Sequence, residues 1–246
     1  MRERRGINVR IVVVTAHPDD YTYGVAGTLL AHAEDERHVV VLAPIQHDAA
    51  REVARRLGVE LHLLDGTYKK IAQSAESLKD QLTAFLAANR PDYVFGPPIV
   101  GDWSPDHTLT GQLAFEAYLD SGSYGQWNAR FLRYPIPATT TRFDPNVWIE
   151  LPKSTIDVKM ELAATMTRGA EDIWPRDVVE WEIHSQHRFA HEVGWPAEHV
   201  EGFDAVYPIP FRNLPPRDAS LQHLQEEHLR KVALLQSGGD LSSSGS

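Results

Sequence analysis

Ile11–Asp20 reads IVVVTAHPDD, and the expected fold follows from it. The four β-branched residues Ile11 to Val14 specify a strand buried on both faces. The stretch then turns polar at once: His17, Asp19 and Asp20 put three ionisable groups within four residues. Pro18, among them, stiffens the turn and removes a backbone donor. Gly24 and Gly27 follow, then an apolar helical run through Leu29 and Leu30. A strand, a charged turn and a helix deliver such groups to the carboxyl edge of a parallel sheet, where open α/β sheets bind ligands.

A dinucleotide fingerprint does not fit this turn. Glycines would have to stand at Ala16, His17 and Asp19, and two adjacent carboxylates repel a pyrophosphate. A cation suits the turn better. One turn can aim His17 and Asp20 at a single Zn²⁺ or other divalent first-row ion, with Asp19 pointing elsewhere and free. Capping of a helix by an Asp side chain is the competing reading of the same residues.

The chain has 246 residues and a net charge of −10, with no cysteine. That length suits one α/β domain, or one with a small appendage, and buries a core without staples. The missing cysteines exclude disulfides and thiolate zinc sites, so any metal must be held by nitrogen and oxygen. The negative charge argues against nucleic acid or an anionic membrane as the main partner. IVVVTA is too short for a signal-peptide core, and no apolar run reaches membrane-spanning length. The expectation is a cytoplasmic protein, with homo-oligomerisation left open. Ser237–Ser246, SGGDLSSSGS, reads as a disordered linker or vector-derived remnant.

Outward from the first strand the pattern alternates. Helices are expected at Gly24–Glu34, Asp48–Leu57 (closed by Gly58) and Ser74–Asn89, and strands at His38–Ala43, Val59–Leu64 and Asp92–Phe95. This predicts an α/β fold: a Rossmann-like parallel sheet flanked by helices, with right-handed crossovers. A less regular α+β portion follows a helix at Thr108–Leu119. It has strands at Phe131–Ile136 and Val147–Leu151 and helices at Thr155–Arg168, Arg176–Phe189 and Leu221–Leu235.

Past the fourth strand, on the same sheet edge as HPDD, lies GDWSPDH, with Asp102, Asp106 and His107. Two acid-and-His turns at the carboxyl ends of two parallel strands can converge. His17, Asp20 and His107 then make a two-His, one-carboxylate metal set with positions open to water and substrate. Trp103, inside the same loop, offers a surface on which a sugar ring or other flat ligand can stack.

With both segments in view, the chain resembles the PIG-L/LmbE-like zinc deacetylases, which remove N-acyl groups from glucosamine-containing molecules. AHPDDYTYGVAGTL (Ala16–Leu29) is similar to the family's A-HPDD-x-x-x-G-x-G-G-T-L opening. DWSPDHTLTG (Asp102–Gly111) is similar to its D-x-HPDH-x-x-x-G segment. HSQHRFAHEVGWPAEHVEGF (His184–Phe203) is a fainter match, where family members have H-x-S-Q and then an Arg, Gly and Glu-Phe pattern. The resemblance implies one deacetylase domain over residues 1–236 and an N-acylated amino-sugar conjugate as substrate. It implies zinc on His17, Asp20 and His107, Asp19 as the general base, and Asp106 as a carboxylate that orients an imidazole.

Two positions depart from the family. Tyr21 stands where Glu or a similar polar residue is usual. Ser104 stands where the family has the first His of HPDH, a group thought to stabilise the oxyanion or protonate the leaving amine. Serine donates one neutral hydrogen bond and is no acid near neutral pH. His184, His187 and His191 share a face if their stretch is helical, and His191 is the candidate to replace that imidazole. Arg188 is a candidate for substrate contact. His32, His38, His47 and His62 lie in ordinary helix or strand contexts and read as background. Two other functions stay in view: a metal-binding module whose hydrolytic activity has faded, and an iron-dependent oxygenase using the same triad. Such oxygenases usually carry the triad on a β-barrel.

Overall fold

The computed structural model describes residues 9–45, 47–137, 139–166 and 199–206. β1 (Arg10–Thr15) lies inside the sheet, parallel to β2 (Glu36–Val41) on one side and to β4 (Tyr93–Gly96) on the other. Beyond β2 lies β3 (Glu60–Leu63), and beyond β4 lies β5 (Arg130–Arg133), both parallel as well. β7 (Val200–Val206) then joins β5 antiparallel, and β6 (Val147–Glu150) joins β7 antiparallel. The order is β3-β2-β1-β4-β5-β7-β6. The parallel array is therefore as the alternating pattern predicts, and the antiparallel end is the irregular portion.

The alternation of side chains along β1 builds two cores. Ile11 and Val13 pack with Leu29 of α2 (Ala26–Ala31), Val53 and Leu57 of α3 (His47–Leu57), and Leu162 and Met166 of α6 (Lys153–Met166). Val12 and Val14 point the other way. They join Leu78, Leu82 and Leu86 of α4 (Ala75–Asn89) and Leu113, Ala114 and Ala117 of α5 (Pro105–Asp120). Each Val, Leu, Ile or Met side chain so removed from water contributes about 1.5–3 kcal/mol.

Several boundaries differ from expectation. The helix expected at Gly24–Glu34 is two short helices, α1 (Pro18–Gly24) and α2, separated at Val25. Helix begins at Pro18 because proline at the first helical position is pre-organised and loses no needed donor. For the same reason α5 begins at Pro105 rather than Thr108. β5 ends at Arg133 instead of Ile136, just before Pro135 and Pro137. β7 was not anticipated, because Glu201, Gly202 and Asp204 make VEGFDAV look like loop. The helices expected at Arg176–Phe189 and Leu221–Leu235, and the tail from Ser237, lie outside the described residues. Among the described residues no helix is long and apolar enough to cross a membrane.

Glu201 explains how an acid-bearing segment becomes an interior strand. Its carboxylate is 0% exposed and accepts bonds from the Gly27 N–H at 2.9 Å, the Thr28 N–H at 2.7 Å, the Thr28 hydroxyl at 2.6 Å and the Lys159 ammonium at 2.6 Å. It ties β7 to the start of α2 and to α6. A Cβ on Gly27 would lie 2.7 Å from the Glu201 Oε1 and 2.4 Å from Leu151, so only glycine lets the carboxylate this close.

Chain direction then places the site. From β1 the chain runs to β2 on one side, whereas β4 lies on the other, so the strand order reverses between β1 and β4. Ligands of open α/β sheets bind outside the carboxyl ends of the strands at this reversal. His17 follows β1 directly, and the loop after β4 leads to α5 and His107.

Candidate metal centre

The two arms of the site share one local design. His17 is the N-cap of α1 and Ser104 the N-cap of α5, each followed by proline inside the first turn. Asp19 and Asp106 come next, and Asp20 and His107 occupy the third helical position of their respective helices. The helix-cap and metal readings of HPDD are thus compatible. The His17 backbone N–H donates to Asp20 Oδ2 at 2.9 Å, as does the Thr15 hydroxyl at 3.1 Å. Asp20 Oδ1 is left facing His107 Nε2 at 3.4 Å.

His17, Asp20 and His107 are all buried, and one donor atom from each lies within 4.8 Å of the others. The imidazoles are fixed from behind. Asp102 is a pure acceptor as a carboxylate, so His107 carries its hydrogen on Nδ1 and donates to Asp102 Oδ1 at 3.3 Å. Asp102 is itself held by the Ser104 N–H at 2.8 Å and by the Thr139 and Thr140 hydroxyls at 2.8 and 2.9 Å. His17 donates from Nε2 to Asp106 Oδ2 at 3.2 Å, which leaves its Nδ1 facing Asp20 at 3.7 Å. Outer carboxylates of this kind set which nitrogen is free to bind a metal. Asp106 thus lies against the imidazole of the other arm, and Asp102 against that of His107.

Four carboxylates (Asp19, Asp20, Asp102 and Asp106) crowd two imidazoles, and the charges respond accordingly. Burial works against a charged His17, but Asp20, Asp19 and Asp106 outweigh it and raise the imidazole to about 9. His107 is raised too, its burial overcome by Asp20 and Asp102. Burial disfavours the Asp20 and Asp102 anions, yet the imidazoles hold both below the usual carboxylate range. Asp19 goes the other way: burial first, then the Asp20 charge, push it up to about 6. Its Oδ1 is shielded from solvent and has no hydrogen-bond partner among the described residues. Such a cluster demands positive charge, supplied by two imidazoliums or by one divalent ion. The donor set, two imidazoles and one carboxylate with no sulfur, fits zinc or a neighbouring first-row ion.

The rim comes partly from residues that carried no sequence signal. The Tyr68 ring lies edge-on to His17 at 4.9 Å, and the Lys69 N–H donates to Asp106 at 2.7 Å. Lys69 does so from the left-handed region, φ 58°, a conformation that costs a non-glycine residue about 1–2 kcal/mol. Neither Tyr68 nor Lys69 sits in a motif; only the fold brings them here. Trp103 is 67% exposed beside the ligand-bearing turn. Ser104 is half-buried, and its side chain makes no capping bond. Tyr21, the other departure, is fully buried in the core of the α1 face. His191 and Arg188 lie outside the described residues.

No family model and no curated protein matches the chain. Solved structures do. A conserved protein from Thermus thermophilus (TT1542) superposes with a TM-score of 0.67 at 24% identity, over 86% of this chain and 100% of that one. N,N′-diacetylchitobiose deacetylase from Pyrococcus horikoshii gives 0.63 at 20%, over 82% and 87%. The 4-carboxy-2-hydroxymuconate hydratase GalB from Pseudomonas putida KT2440 gives 0.65 at 19%, over 84% and 100%. The zinc-inhibited form of teicoplanin deacetylase Orf2 gives 0.63 at 11%, over 82% and 100%. The chain therefore has the α/β fold of these deacetylases, a fold that the hydratase also uses.

Proposed function

We propose that the chain is a metal-dependent hydrolase of the PIG-L/LmbE type. It would remove an N-acyl group, acetyl in the simplest case, from a glucosamine-containing or similar small amide. One observation carries this reading: the donors of His17, Asp20 and His107 converge at the strand-order reversal, with an unpartnered Asp19 oxygen beside them. The open mixed sheet counts against the oxygenase reading, since such triads usually sit on a β-barrel. A binding module has no need of a buried carboxylate oxygen left unpartnered beside the ligands.

Bound zinc would lower the pKa of a coordinated water to about 7 and polarise the amide carbonyl. The protein supplies the rest. Asp19 takes the proton of the attacking water and returns it to the departing nitrogen, the task of a carboxylate positioned beside the reacting atoms. Asp102 and Asp106 keep the two imidazoles in the tautomers that bind metal. Tyr68 and Trp103 offer flat apolar surfaces to a sugar ring.

The direct test is amine release from a panel of N-acetylglucosamine derivatives, before and after chelation. Release is expected to vanish with the metal and to return on adding Zn²⁺; release indifferent to chelation overturns the reading. Ser104 refines it. Loss of one oxyanion donor costs about 10²–10³ in rate, so Ser104→His is expected to raise kcat by up to about 10². A sharp fall in kcat would give Ser104 a role of its own. The same assay addresses a second reading, hydration of a carbon–carbon double bond, which draws on the fold shared with GalB. A hydratase adds water and releases no amine.

A further inference from the structure

A second donor cluster lies across β2 and β3, on residues separate from the loops after β1 and β4. His38 of β2 stands directly across from Glu60 of β3 in the parallel register. His62, two residues beyond Glu60, shares its face of the strand. The three side chains meet under α4, where the Phe85 ring lies edge-on to His62 at 4.6 Å and to His38 at 5.8 Å. His38 is only 5% exposed, so its imidazole cannot be written off as a solvated one. Glu36 and Glu60 open β2 and β3, and His38 and His62 each lie two residues further along their strands. His17 and His107 occupy the carboxyl edge.

One donor atom from each of the three side chains lies within 4.8 Å of the others. His38 Nδ1 lies 3.2 Å from His62 Nε2 and 3.4 Å from a Glu60 oxygen, and His62 Nε2 lies 3.4 Å from the other Glu60 oxygen. Zinc–nitrogen bonds of about 2.0–2.1 Å at tetrahedral angles separate ligand atoms by about 3.3–3.4 Å. The two imidazole nitrogens already have that spacing, and the exposed Glu60 carboxylate would turn to bring one oxygen to the ion.

The outer contacts agree. Glu36 accepts from His38 Nε2 at 3.0 Å while its other oxygen pairs with Arg10 at 2.8 Å. A carboxylate only accepts, so His38 carries its hydrogen on Nε2 and turns the Nδ1 lone pair toward His62 and Glu60. This is the carboxylate–imidazole arrangement that accompanies metal-ligating histidines.

We propose that His38, Glu60 and His62 form a second divalent-metal site, taking Zn²⁺ with water in the remaining position. The ion clamps the edge strand β3 to β2. β3 is four residues long with none of them fully buried, so a cross-strand ligand set adds what packing does not. The site is independent of the catalytic reading, sharing no residue with it.

Zn²⁺ stoichiometry after equilibrium dialysis at fixed free Zn²⁺ tests this in the full chain. Glu60→Gln and His62→Ala alter side chains at the sheet surface, and far-UV circular dichroism checks that both variants fold. Each is expected to bind one zinc ion fewer per chain than wild type, and zinc is expected to raise the wild-type Tm more than theirs. The one-ion loss should persist in a His107→Ala background, where the catalytic ion is already gone. Equal stoichiometry in wild type and His62→Ala overturns the proposal. It does so whether or not His107→Ala loses an ion, so the two sites stand or fall separately.

Discussion

Asp19→Asn is expected to lower kcat for amide hydrolysis by about 10²–10⁴ while the zinc content stays at the wild-type level. The substitution keeps the shape of the side chain but removes its charge and its ability to take a proton. Asp19 sits between two proposed ligands in sequence, but its place in the first turn of α1 gives it a different direction from Asp20. Asp20 is spent on the His17 N–H, the Thr15 hydroxyl and the face of His107. Asp19 Oδ1 has no such obligations among the described residues. Burial and the neighbouring Asp20 charge already favour protonation of Asp19, and they disfavour its use as a structural anion. Metal analysis and initial rates on one preparation decide the matter. Loss of zinc in the variant would make Asp19 a ligand, and full activity would remove it from the chemistry.

How much of this was legible beforehand depends on whether a residue's role is local. The run Ile11–Val14 and the turn after it carry their own signal, because a fully buried strand and a proline-led cap are short-range events. His17, Asp20 and His107 could be grouped from sequence because they follow two strands of one parallel sheet. The roles of Asp102 and Asp106 were half visible. That one acid holds the imidazole of its own arm and the other the imidazole across the site depends on how the loop after β4 folds back onto Thr139 and Thr140. Tyr68 and Lys69 were invisible, since their segment has no pattern and reaches the site only through the packing of the loop after β3. The pairing of His38 with Glu60 and His62 was equally hidden. Each residue looks ordinary in its own strand, and a cluster exists only once β2 and β3 are placed in register. Glu201 failed for the opposite reason: an acid in a strand reads as exposed unless its partner, 42 residues earlier, is known.

That partner carries the second large effect. Glu201→Ala is expected to destabilise the fold by about 3–5 kcal/mol, because it leaves the Lys159 ammonium buried without a counter-charge. Lys159 is 2% exposed. The Gly27 and Thr28 donors lose their acceptor in the same step. A loss of that size is a large share of the ~5–15 kcal/mol that holds a typical domain together, so reduced soluble yield should accompany it. Lys159→Met is expected to be milder, since Glu201 keeps three donors from the start of α2. The pair Glu201→Gln with Lys159→Met should recover much of the loss, as two neutral groups of similar volume leave no isolated charge. Urea midpoints of wild type, Glu201→Gln, Lys159→Met and the pair measure the coupling, and Glu201→Ala is compared with wild type alone. If Glu201→Ala alone unfolds within about 1 kcal/mol of wild type, water or another group must reach Lys159. The Gly27–Thr28 junction would then owe its place to apolar packing, with the carboxylate an accessory to it.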